Sequence, residues 1–115
     1  MEMFDGIYNI TFISNQNSFG EGILIKSNNS IAGGDIASVY QGSYSTDEVV
    51  LRVRRYNTDI PSVLGLEHDY ELVIKIDDAI AYDSDEINLS AYVKDNKNLT
   101  LDIYVKFIES LSVTS

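Results

Sequence analysis

"LTLDIYVKF", residues 99–107, alternates without interruption: Leu99, Leu101, Ile103, Val105 and Phe107 are apolar, with Thr100, Asp102, Tyr104 and Lys106 between them. A period of two places all five apolar residues on one face of a β-strand, whereas a helix would scatter them around its axis. One apolar and one polar face is the pattern of an antiparallel strand packed on a core from one side. The same period recurs in 70–76, where Tyr70, Leu72, Ile74 and Ile76 share a side, and in 87–93. Residues 6–14, 19–26, 37–44 and 49–56 read as four more strands, with a short one at 30–32. The breaks between them are "NQNS", "SNN", "STDE" and "DNKN", rich in side chains that favour tight turns.

Only "TDIPSVLG", residues 58–65, resembles a helix. Thr58 or Asp59 can cap it, Pro61 suits its first turn, and Gly65 can end it in the left-handed conformation. The expected fold is therefore all-β, an antiparallel up-and-down β-barrel of about eight strands with one short helix. A strongly bent sandwich is the alternative, and closure is favoured because it leaves no edge strand exposed. The single proline lies outside every expected strand, in agreement with a fully paired sheet. With 115 residues the chain, 1–115, suffices for one domain and one core.

Charge is the most selective bulk property. Eighteen acids against eight bases give a net charge of −10, which repels nucleic acid and anionic membrane and attracts cationic partners. No apolar run approaches the roughly 18 residues of a membrane span, and the opening "MEMFDGIYNI" carries acids where an export signal carries lysines. The absence of cysteine excludes disulfides and thiolate chemistry and suits a reducing compartment, so a cytoplasmic location is expected.

Few motifs suggest chemistry. Gly33 and Gly34 in "SIAGGDIASVYQGSY" run into another strand rather than a helix, and Gly20-Glu21-Gly22 lacks a third glycine, so neither reads as a phosphate cradle. A structural corner fits better: the glycines permit positive φ or close backbone approach, Asp35 can accept from nearby N–H groups, and Tyr40, Gly42 and Tyr44 share a face of the next strand. His68, the one histidine, has no nucleophile motif beside it, and no metal or other cofactor is expected. The acidic run 77–86 lacks the glycine of a calcium loop. Arg52 and Arg54 should lie outward, balanced by acids on neighbouring strands. The expectation is a protein without catalytic activity.

The segments "DGIYNITFIS", "GEGILIKSNNSIAGGDIASVYQGSY", "VRRYNTDIPSVL", "DYELVI" and "VKFIESL" together resemble the GrlR-like family of negative regulators of type III secretion gene expression in bacteria. The likeness runs from about Asp5 to Leu111, and the Gly33-Gly34-Asp35 corner with Tyr40, Gly42 and Tyr44 is its most specific piece. The resemblance implies a lipocalin-like (calycin-like) barrel, a homodimer, and sequestration of a helix-turn-helix (HTH) transcriptional activator. The family's activator-binding acidic run corresponds to the loop that here reads Ser45-Thr46-Asp47-Glu48-Val49, which keeps Asp47 and Glu48.

An HTH activator meets DNA with a cationic face, so an anionic protein can compete for that face. Partner-binding candidates are Thr46, Asp47 and Glu48, together with Asp77, Asp78, Asp83, Asp85 and Glu86. An alternative function follows from the barrel itself, which can enclose a small apolar ligand. Candidate cavity residues are Tyr8, Ile10, Phe12, Tyr70, Leu72, Ile74, Leu101, Ile103 and Phe107.

Overall fold

The computed structural model describes residues 4–45, 47–62, 64–66, 68–81 and 86–111, with only the backbone described for 77–81. Eight strands follow one another: β1 (Gly6–Ser14), β2 (Phe19–Ser27), β3 (Ser30–Gly34), β4 (Ser38–Tyr44), β5 (Glu48–Arg55), β6 (Tyr70–Ala81), β7 (Glu86–Val93) and β8 (Asn96–Glu109). Each pairs antiparallel with the next, and β8 returns to pair with β1, so the sheet is a closed barrel. The expected up-and-down barrel of eight strands is what forms.

Alternation sets the core. Tyr8, Ile10 and Phe12 from β1, Leu51 and Val53 from β5, Leu72, Ile74 and Ile76 from β6, and Leu101, Ile103 and Val105 from β8 are all buried. Burying an aliphatic side chain of this size contributes roughly 1.5–3 kcal/mol, so the inward faces together dominate the stability of the closed sheet.

Three expectations need correction. No helix forms among the described residues of 58–65. Ile60 N–H donates to Asn57 O at 3.3 Å and Gly65 N–H to Ser62 O at 3.0 Å, both spanning three residues as turns do. Pro61 disfavours α conformation at Ile60 and lacks a donor itself, so the segment breaks into turns; Gly65 alone behaves as expected, at φ 72°.

The second correction concerns Gly33 and Gly34. They belong to β3 rather than to the corner after it; of the two uses expected of them close approach is the one found, neither having positive φ, with Gly33 opposite Leu24 on one side and Tyr40 on the other. Gly42 likewise lies against the β5 backbone.

Third, Phe107 leaves the interior. The β1–β8 register shifts between Ile7 and Tyr8, Tyr8 pairing with Phe107 and Ile7 with Glu109, so β8 carries an extra residue there. The Phe107 ring is 41% exposed and packs edge-on to Tyr8 at 5.4 Å.

Up-and-down order sends the connections alternately to two ends. The β2–β3 and β4–β5 turns meet where β1 begins, β8 finishes and β6 gives way to β7; this is called the terminal end below. The β1–β2, β3–β4, β5–β6 and β7–β8 connections meet at the other, open end.

Candidate functional site

The terminal half of the barrel is filled. Leu24, Ile31, Val49, Ile74, Ile76, Leu89, Ile103 and Val105 leave only about 20 Å³ between them. Lys26 follows Gly22 and Leu24 on the inward face of β2, and it is 6% exposed. Its ammonium lies 2.8 Å from Asp5 Oδ1 and 4.5 Å from the centre of the Tyr44 ring. Asp5 Oδ1 also accepts from Asn28 N–H at 3.1 Å. The Lys26 hydrogen bond, then the Asn28 one, holds the Asp5 carboxyl below its usual range.

A depressed folded value means that the pair stabilises the fold fully above the ordinary carboxylate range, and that this contribution is lost as pH falls through the depressed value. Asp5→Asn should therefore lower Tm near pH 7, with the gap to the unmodified chain closing below about pH 4. A gap that persisted at pH 2 would show that this pair does not titrate with folding.

At the open end the barrel is hollow, with a cavity of about 160 Å³. Ile10, Phe12, Tyr70, Leu72, Ile74, Leu101 and Ile103 line it, whereas Tyr8 and Phe107 do not. The loops complete it: Ile36 and Ala37 come from β3–β4, and Ile60, Pro61 and Ser62 from β5–β6. Leu64 of the latter connection is 2% exposed, packed into the core as an anchor for the loop.

Asp35 builds the corner at the mouth of this cavity. Its Oδ1 accepts from the N–H groups of Ala37 and Ser38, each at 2.7 Å, and its Oδ2 accepts from the Tyr40 hydroxyl. Tyr56 O–H donates to the Asp35 carbonyl at 2.8 Å, tying the start of the long loop to the same corner. Burial, followed by the neighbouring Asp35, pushes the Tyr40 phenol far above its usual range. Burial also raises Tyr70, with Ser62 acting in the opposite sense through a hydrogen bond. Both phenols stay protonated at neutral pH and present O–H groups beside an apolar space.

The acidic candidates gather at the terminal end as far as they are described. Asp47 is exposed, and its carbonyl accepts from Ile76 N–H at 2.9 Å, which pins the β4–β5 turn to β6. Glu48 stands 3.6 Å from Lys75, a half-exposed pair worth about 0–1 kcal/mol. Asp77 and Asp78 lie on β6, whose side chains are not described there, and Glu86 opens β7. Thr46, Asp83 and Asp85 lie outside the described residues. At the same end, on the β1–β8 side of the barrel and across it from the β4–β5 turn, Phe4, Phe107 and Ile108 are 79%, 41% and 52% exposed.

The remaining candidates are peripheral. His68 is exposed, and Arg52 reaches Asp69 at 3.7 Å on the outer surface. Among the described residues no group of three or more His, Cys, Asp or Glu is placed to hold a metal ion. Lys26 and the polar mouth of the cavity went unread in the sequence, although the β2 alternation already places Lys26 inward.

Fold and geometry thus define a small closed antiparallel barrel, hollow at one end and bearing exposed acids and apolar side chains at the other. No protein-family model matches the chain, and no curated protein does.

Proposed function

We propose that this chain is a bacterial negative regulator that captures a basic HTH transcriptional activator, of the kind that controls type III secretion genes, and keeps it from DNA. The carrying observation is the placement of exposed Asp47, with Glu48 beside it, at the same end as exposed Phe4, Phe107 and Ile108. Acids alone give steering and specificity, while exposed ion pairs add little affinity; the apolar side chains elsewhere on the same end supply the desolvated contact that a lasting complex needs. A face neutralised by this surface is unavailable to phosphates.

Pull-down from the source bacterium should enrich a basic HTH protein, which after purification should lose its promoter DNA when the barrel is added. Asp47→Ala with Glu48→Ala should weaken that capture about tenfold or more, and added salt should weaken it further. Capture that is unchanged in the double variant removes this loop from the interface.

The open end favours a second reading, carriage or sensing of a small ligand. A cavity of about 160 Å³ is comparable with an engineered apolar cavity that accepts benzene. Saturable uptake of a neutral aromatic of that size is the observation this reading requires.

A further inference from the structure

We propose that the cavity at the open end selects a small protonated amine with an apolar body, seating the body among Ile10, Leu51 and Leu72 and leaving the ammonium at the mouth beside Asp35. This rests on the ligand-binding reading of the cavity and adds the charge and size of its occupant.

Size comes first. About 160 Å³ accommodates one aromatic ring, not the long chain of a fatty acid. The walls are apolar, so the part of the ligand that enters must be apolar as well.

Charge comes second. Among the described lining residues, the charged ones are Asp35 and Glu21, both acidic, and there is no Lys, Arg or His. Asp35 is built in: two backbone N–H groups at 2.7 Å and the Tyr40 hydroxyl fix its carboxylate at the corner. The cations elsewhere at this end stand off the lining. Arg54 is exposed, Arg55 follows Val53 on the inward parity of β5 and donates from Nη2 to Thr58 O at 2.9 Å with its Nε buried and unpartnered, Lys94 pairs with Glu71 at 3.4 Å, Lys97 lies over the Tyr92 ring, and His68 lies in the exposed approach to β6. None of these is on the cavity lining.

A carboxylate ligand would therefore be brought out of water against Asp35 with no cationic side chain on the lining to meet it, in a chain that already carries −10. An ammonium reverses each of these signs. Tyr40 and Tyr70 also border the cavity, and aromatic rings attract cations rather than anions to their faces.

Three probes of nearly equal shape test the proposal: 2-phenylethylamine, 2-phenylethanol and 3-phenylpropionate, titrated at pH 7 and followed by NMR of the chain. The amine should bind at least tenfold more tightly than the alcohol, its advantage should shrink with salt, and the carboxylate should not saturate. Asp35→Asn keeps an oxygen for the corner N–H groups, so in that variant the amine should fall to the affinity of the alcohol. Leu51→Phe, which fills the cavity, should abolish binding of all three. Equal binding of amine and alcohol to the unmodified chain overturns the charge selection while leaving the cavity reading intact. If none of the three binds, both are overturned.

Discussion

Gly33→Ala and Gly42→Ala are each expected to destabilise the barrel by about 3 kcal/mol or more, and to lower Tm by about 10 °C or more. A Cβ on Gly33 would lie 2.1 Å from Ile23 O, and one on Gly42 would lie 2.1 Å from Val50 O. Both obstacles are backbone, so no rotamer change relieves them. The strands must separate, and separation breaks the ladder on that side. On this side of the barrel, β2 through β5, the inward glycines lie against the backbone of the neighbouring strand, which is the usual role of glycine where a barrel sheet bends. Gly65→Ala makes a useful contrast. That residue has φ 72° and an added Cβ would meet only Gln16 Oε1, at 3.6 Å, so the cost is only the left-handed backbone, about 1 kcal/mol. Thermal unfolding of the three variants should separate them clearly. If Gly33→Ala unfolds like the unmodified chain, β3 is not held against the Ile23 carbonyl.

That contrast shows what alternation can and cannot reveal. A strand facing both a core and solvent announces itself through a period of two, so β1, β5 and β8 were legible from residue type alone. The β6 strand was legible as far as Ile76 and then hidden, because "DDAIA" interrupts the period, and the β6–β7 register shifts between Lys75 and Ile80. Where pairing slips, the rule that assigns faces slips with it, and Phe107 went to the wrong side for the same reason.

Hollowness is a property of summed volumes rather than of pattern. The inward positions toward the open end on β2, β3 and β4 include Gly20, Gly22, Gly33 and Ser38 beside the larger Tyr40, whereas Leu24, Ile31 and, on β5, Val49 fill the space toward the terminal end. Small residues at one end and branched ones at the other leave space where the small ones meet. The signal was present in the sequence, but it becomes readable only once register shows which small residues face one another. The acidic loop is the reverse case: its composition was plain, and only topology shows that exposed Phe4, Phe107 and Ile108 lie at the same end.

Asp35→Ala is expected to cost about 3–5 kcal/mol, a large share of the stability of a domain this size, because three donors lose one carboxylate together. The Ala37 and Ser38 N–H groups lose their acceptor at the corner, and the hydroxyl of Tyr40, a residue only 5% exposed, is left without its partner. Asp35→Asn should cost about 1 kcal/mol, since an amide oxygen can still accept from both N–H groups while its NH₂ faces the phenol oxygen. Tyr40→Phe removes the buried hydroxyl together with its need for a partner. For that reason Asp35→Ala should cost about 1–2 kcal/mol less in a Tyr40→Phe background than in the unmodified chain. Denaturant unfolding of the four variants closes this cycle. Strict additivity would mean that the Tyr40 hydroxyl finds water when Asp35 is gone, and hence that the mouth of the cavity is wet down to the level of that ring. The predicted coupling instead requires the phenol to remain enclosed, the condition under which a carboxylate at the mouth can discriminate the charge of what enters.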